Sequence, residues 1–300
     1  MSAVRPPERL DQCLVRLGMA VSRRNARALI VEGRVLVNGR HLPKGAVVEA
    51  GAQVQLTEPL PSPTIQPNPD LAIEVLYEDS ALLIVNKPAL IPCHPLRGAE
   101  RITVMNALAA TYPETATVGD DPREGGLVHR LDNGTSGALI IARTDAALTA
   151  LRAAVRSGAV VREYQALVAG NLASSTEITT PMAHHPKNPR KMITADDASS
   201  TPAARAASTV AIPLRRHDRF TLLKVLPRTG RRHQIRVHLA SIDHPLAGDE
   251  LYGGPPLAGL APGRFWLHLA ALALEAPTGE KIRVEAPLPA DLLGALETLT

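Results

Sequence analysis

Three hundred residues, 45% of them hydrophobic, can bury one large domain with or without a small appendage; with only 2% aromatics, the core must rest on Val, Leu, Ile and Ala. A net charge of +4 permits a polyanionic partner without demanding one, and Cys13 and Cys93, far apart and outside any CxxC pair, argue against a disulfide framework or a cysteine metal site. No apolar run reaches the length of a membrane span and no signal-peptide core opens the chain, so a soluble cytoplasmic protein without membrane contact is expected.

In chain order, Leu10, Cys13, Leu14 and Leu17 recur at helical spacing, and Gly18 ends that helix. Ser22 is placed to cap a second helix with the stripe Ala26, Leu29 and Ile30, which Gly33 ends. Val35-Leu36-Val37 reads as a strand entering an Asn38-Gly39 tight turn, and Val47-Val48 with Val54-Gln55-Leu56 complete a small sheet. Arg23, Arg24, Arg27, Arg34 and Lys44 decorate this unit; taken by themselves they are a solvated basic face. However, Arg9-Leu10-Asp11, Ser22-Arg23, Ala28-Leu29-Ile30 and the run from Gly33 to Gly39 resemble the RNA-binding domain named after ribosomal small-subunit protein four. That resemblance implies a small α/β domain over residues 9–58, holding RNA through phosphate contacts from those basic side chains. Ala52 stands where an aspartate is frequent in that domain. Residues 59–69, rich in proline, cannot sustain a helix or a central strand and read as a linker.

Residues 70–300 form the second domain. Ile73 to Tyr77 and Leu82 to Val85 flank Glu78-Asp79-Ser80 as a hairpin, and Thr103 to Thr111 reads as a helix. Asp145 is placed to cap a helix ending at Ser157-Gly158. Strands are predicted at 162–168, 208–213 and 219–226, a helix from His233 to Ser241, and final strands at 266–274 and 281–285. The mixture is α+β with a largely antiparallel sheet.

The run His129-Arg130-Leu131-Asp132-Asn133-Gly134-Thr135-Ser136-Gly137 joins two apolar segments. Asp-Asn-Gly is ordinary turn chemistry, but ionisable groups entering a buried strand are costly unless they serve a site. This segment resembles the signature of the RluA family of pseudouridine synthases: His-Arg-Leu-Asp, two variable residues, then Thr-Ser-Gly. Arg162 to Val168 resembles that family's tyrosine-bearing strand, and Thr229 to Leu239, trailed by His244 to Asp249 and Tyr252-Gly253, its third signature. Val85-Asn86-Lys87-Pro88 resembles its opening strand. Asn133-Gly134 departs from relatives, where charged residues are common, at positions the signature leaves variable.

The resemblance implies the pseudouridine synthase fold: a long mixed, largely antiparallel sheet with flanking helices and a central cleft. It also implies the reaction, in which the bond from the sugar's anomeric carbon to a uracil nitrogen breaks and the sugar rejoins carbon five. That chemistry needs no redox cofactor, ATP or metal, and neither a Rossmann fingerprint nor a P-loop is present in the sequence. His233 and His238 are five apart, and His184-His185 lack nearby acidic partners, so no metal site is expected. By resemblance, Asp132 is the catalytic carboxylate, as nucleophile or base, Arg236 its ion-pair partner, and Tyr164 the ring stacked on the target base. Arg130 would take the place of the extruded nucleotide, and His129, Thr135 and Arg231 would contact substrate; Lys187, Arg190 and Lys191, in the loop 184–192, read as phosphate contacts or as a flexible solvated loop.

RNA is the expected partner. A second RNA domain favours large-subunit ribosomal RNA, transfer RNA being the alternative, and a monomer is expected. A non-catalytic RNA-binding or ribosome assembly factor would use the same basic surfaces; Asp132, Tyr164 and Arg236 together weigh against it. A uracil glycosidase would release free base.

Overall fold

The computed structural model describes residues 2–3, 7–20, 23–57, 65–96, 100–195 and 204–299. The chain divides into two compact units, Met1–Pro63 and Thr64–Thr300.

In the first unit, β1 (Ser2–Ala3), β2 (Glu8–Arg9), α1 (Leu10–Arg16), α2 (Arg23–Val31), β3 (Val35–Val37), β4 (Val47–Val48) and β5 (Gln53–Leu56) surround a small aliphatic core. Leu10, Cys13 and Leu14 on α1 share that core with Ala26, Leu29 and Ile30 on α2. Asn38 and Gly39 both adopt left-handed φ, as the tight turn after β3 requires. The single small sheet expected from sequence is two: β5 pairs with β3 and β1, whereas β4 pairs with β2. A two-residue strand carries too little pattern to name its neighbour in advance. The Ser22 cap lies outside the described residues.

Asp11, 1% exposed, accepts hydrogen bonds from Arg9, Arg27 and Arg23 at 3.0, 2.9 and 3.3 Å. Burial would raise its pKa, but the guanidinium hydrogen bonds outweigh it and hold the carboxyl at about 2. The stability this network contributes is therefore present above about pH 4 and lost as pH falls towards 2. Asp11→Asn should cost about 1.5–3 kcal/mol at neutral pH, the deficit shrinking as the medium is acidified. Urea unfolding of both proteins across that range tests this, and equal stability at pH 7 would remove the network from the fold's support.

The second unit carries β6 (Glu74–Glu78), β7 (Leu82–Lys87), α3 (Val104–Thr111), β8 (Ser136–Ala142), α4 (Asp145–Ser157), β9 (Val161–Ala169), β10 (Thr176–Ile178), β11 (Met182–His184) and β12 (Met192–Thr194). It continues through β13 (Thr209–His217), β14 (Phe220–Pro227), α5 (Gln234–Ser241), β15 (Leu267–Glu275), β16 (Lys281–Glu285) and α6 (Ala290–Glu297). The main sheet runs β10-β13-β14-β9-β15-β8-β7-β6, with β16 on the free part of β15. β8 and β15 are parallel; the other pairings are antiparallel. Every residue of β8 is buried, as a strand covered on both faces requires. Leu139, Ile140 and Ile141 each contribute about 1.5–3 kcal/mol by that burial.

β8 meets β15 through only two residue pairs, Ser136 with His268 and Gly137 with Leu269. Gly137 has φ of 117°, and a Cβ there would collide with the Leu269 carbonyl, so the seam tolerates no side chain. Leu269 also pairs with Tyr164 of β9, so Gly137, Leu269 and Tyr164 form one row across the sheet.

Two local expectations need correcting. Thr144, not Asp145, caps α4, its hydroxyl accepting from Ala147 N at 3.2 Å; Asp145 instead accepts from Gly119 N at 2.7 Å. Residues 65–69, read as linker from their prolines, dock on the second unit. Ile65 is buried in its core, Asn106 Nδ2 donates to the Gln66 carbonyl at 2.6 Å, and Asn68 N donates to the Asn106 carbonyl at 2.8 Å. Proline excludes regular structure there, but it does not prevent apolar side chains from packing.

Candidate active site

Val128 N donates to the Ile140 carbonyl at 3.1 Å, so the segment entering the signature runs back along β8 and residues 129–135 form the loop between them. Three consecutive carbonyls of that loop are held. Thr135 N donates to Asp132 O at 3.0 Å, Leu90 N to Asn133 O at 2.7 Å, and Arg264 Nη1 to Gly134 O at 2.5 Å. Fully buried Lys87 donates to Pro88 O at 2.8 Å and Asn133 O at 3.4 Å, and burial lowers its pKa to about 8. Arg264, also buried, reaches Ser136 Oγ at 3.0 Å and Asp291 of α6 at 2.8 Å. Such restraint fixes a side chain before substrate arrives.

Asp132 projects from this loop into a cleft of about 590 Å³, the size of a small-ligand site. Its walls include Tyr164 and Leu267 from the sheet, Ile235 and Arg236 from α5, and Val128 and Leu131 from the loop side. Arg236 Nη1 lies 3.2 Å from Asp132 Oδ2. Its other edge is bound more tightly, Nε and Nη2 each donating at 2.7 Å to Asp249, which is 1% exposed. The guanidinium lies 4.3 Å from the Phe265 ring centre and 5.0 Å from that of Tyr252. Burial opposes its charge, but the Asp249 and Asp132 carboxylates more than offset this and raise its pKa. Arg236 is thus a buried pillar rather than an exposed helix arginine, and Asp132 is left with one carboxylate oxygen towards the cleft.

Tyr164 is buried in β9 and its hydroxyl has no hydrogen-bond partner among the described residues. Burial, reinforced by the Asp132 charge against the pull of Arg162, pushes its pKa up to about 12, so the phenol stays protonated. His129 lines the cleft with Nε2 accepting from Ile140 N at 3.2 Å; burial, then the nearby Arg162 charge, lowers its pKa to about 3. Arg130 is exposed at the rim without a hydrogen bond or ion pair among the described residues, whereas Thr135 is buried beneath. Arg231 lines the cleft with Nε on the Ala206 carbonyl at 3.1 Å. Lys187, Arg190 and Lys191 sit outside the wall, on the β11–β12 hairpin, which Arg232 pins through the Pro189 and Arg190 carbonyls at 3.0 and 3.2 Å.

Sequence reasoning missed Asp249, Tyr252, His233, Arg162 and Arg264 as parts of this site. Arg162 lines the cleft and donates to the Pro227 and Thr229 carbonyls at 3.3 and 3.0 Å, fixing the segment that leads to α5. An arginine two residues before the tyrosine, in a strand with an apolar continuation, was the available signal.

In the first unit, Arg23 and Arg27 face Asp11 while remaining about half exposed. Arg34 is partly buried, and Arg24 and Lys44 are exposed.

The RNA pseudouridylate synthase family matches residues 81–241, more than half of the chain. The chain belongs to that family. The synthase also matches the S4 domain over residues 8–54. It is 36% identical to the ribosomal large subunit pseudouridine synthase D of Pseudomonas aeruginosa, over 97% of this chain and 92% of that one. With the protein of the same description from Haemophilus ducreyi it shares 34%, over 97% and 90%. Among solved structures, human RNA pseudouridylate synthase domain containing 1 superposes with a TM-score of 0.61 at 25% identity, covering 77% of this chain and 90% of that one. A second human protein, RNA pseudouridylate synthase domain containing 4, shares the fold with a TM-score of 0.58 at 23% identity, over 75% and 92%. The synthase is therefore an isomerase with the α+β fold its motifs implied. Among its described residues no helix is long and apolar enough to cross a membrane.

Proposed function

We propose that this synthase isomerises specific uridines in large-subunit ribosomal RNA, with Asp132 as the carboxylate acting at the sugar. The observation that carries the reading is the Asp132–Arg236 ion pair in the cleft, with Arg236 locked from behind by Asp249. Arg236 holds and aims the Asp132 carboxylate, and the walls of the cleft keep the freed uracil beside the sugar until it rejoins through carbon five. The names of the relatives support the ribosomal substrate. Arg130 enters the gap left by the extruded nucleotide and offsets part of an unstacking cost of a few kcal/mol. His129, Thr135 and Arg231 border the bound nucleotide, while Lys187, Arg190 and Lys191 contact backbone phosphates beside it. In the first unit, exposed Arg24 and Lys44, with Arg23, Arg27 and Arg34, contact RNA phosphates. This reading takes the enzyme as a monomer acting in the cytoplasm.

The test is the full-length protein on transcripts of large-subunit and transfer RNA. Turnover of the first releases tritium from carbon five and creates a carbodiimide-reactive nucleoside at unchanged mass. Reaction on transfer RNA alone would move the substrate, and binding without either product would make the protein an assembly factor.

Tyr164 stacks on the base, and its protonated hydroxyl assists loss of the carbon-five proton by hydrogen bonding to the reacting ring rather than as a base. Tyr164→Phe should keep RNA affinity and slow isomerisation by about 10²-fold or more. Tyr164→Ala should also weaken binding, by the roughly 1–3 kcal/mol of a base–aromatic stack. Single-turnover rates and filter binding separate the two effects; parental behaviour in both variants would take Tyr164 out of the mechanism.

A further inference from the structure

Beside Asp132 in the cleft lies a relay of His233 and Tyr252. His233 caps α5 with φ of 54°, a left-handed conformation uncommon for a residue with a side chain. That backbone turns its ring between two groups. Nδ1 lies 2.8 Å from the Tyr252 hydroxyl, and Nε2 lies 3.9 Å from Asp132 Oδ1, the oxygen that Arg236 leaves free. The Tyr252 oxygen already accepts the Met192 N–H at 2.9 Å, so its single proton is available to Nδ1. In this arrangement the histidine proton sits on Nε2, towards the carboxylate. The opposite tautomer would set a bare lone pair against Asp132 and leave the phenol proton without that acceptor. Burial keeps the ring neutral, its pKa lowered to about 4, so it acts as a donor of fixed direction rather than as a second cation.

We propose that His233 is a positioning residue whose Nε2–H, oriented by Tyr252, holds the second oxygen of Asp132 once RNA fills the cleft. The 3.9 Å separation must close by about 1 Å to become a hydrogen bond, a tightening expected between free and substrate-bound enzymes. Arg236 then grips one carboxylate oxygen and His233 steers the other, defining the face Asp132 presents to the sugar. The inference rests on Asp132 being the reacting carboxylate.

The test uses the full-length protein, saturating enzyme and a defined RNA, with affinity measured separately. His233→Ala should slow the single-turnover rate about 10- to 100-fold, the size of one hydrogen bond to a charged group, with RNA affinity unchanged. His233→Gln, whose amide can place an N–H where Nε2 stood, should recover most of that loss. Tyr252→Phe should slow the parent and have no effect in the His233→Ala background, since its role is exerted through the ring. A parental rate for His233→Ala, a loss confined to affinity, or equal Tyr252→Phe effects in both backgrounds would overturn the proposal. If His233→Ala proves misfolded by circular dichroism, His233→Gln and Tyr252→Phe decide instead: a parental rate for Tyr252→Phe, or no activity in folded His233→Gln, overturns it. Asp132→Asn runs alongside; activity there would sink the reading of the site itself, whereas an inactive Asp132→Asn with a parental His233→Ala sinks only the relay.

Discussion

Asp132→Asn is expected to abolish isomerisation and leave the fold standing. The side chain is 24% exposed and its ion pair is with Arg236, whose bidentate bond to Asp249 survives the change. Asparagine has nearly the same shape, so the loop keeps its backbone hydrogen bonds from Thr135, Leu90 and Arg264. What disappears is a charge able to attack the sugar or take its proton. Loss of the central group of a catalytic unit costs about 10⁴-fold or more, so tritium release should fall below detection while the melting temperature stays near the parent's. Turnover within tenfold of the parent would assign the chemistry elsewhere.

Arg236→Ala should damage fold and turnover together. It strands Asp249 as a buried carboxylate, removes the partner of Asp132, and empties the space beside Phe265 and Tyr252. Breaking a buried pair by deleting one member costs about 3–5 kcal/mol, readable as a shift in the urea midpoint. Arg236→Lys keeps the charge but cannot bond Asp249 through two nitrogens while reaching Asp132 with a third. It should therefore regain part of the stability and little of the rate. An Arg236→Ala protein as stable as the parent would mean that Asp249 is satisfied without it.

What the sequence disclosed was local. The His129 to Gly137 run, the tight turn at Asn38-Gly39, the helix closed by Gly158 and the tyrosine strand each announce themselves within a dozen residues. The support of the site does not. Asp249 reaches Arg236 from beyond the end of α5, through a turn that no periodicity marks. Arg264 braces the Asp132 loop from a position 130 residues away from the Gly134 carbonyl it holds. The parallel pairing of β8 with β15 joins segments with a similar separation. Contacts of that kind are set by how layers close, and residue patterns within one sequence carry no signal for them. Residues 65–69 pack despite their prolines for a related reason: proline content describes backbone freedom, while Ile65 is held by burial.

The glycine seam has an implication for which parts of such an enzyme can drift. Gly137 and Tyr164 stand two strands apart on one row, and hydrogen-bonded strands keep a spacing of about 4.8 Å. The span between the backbones of β8 and β9 along that row is thus ruled by the sheet as by a gauge, roughly 10 Å wide. Surface loops can drift and meet new RNA sequences, but the span between these two strands should stay fixed throughout such a lineage.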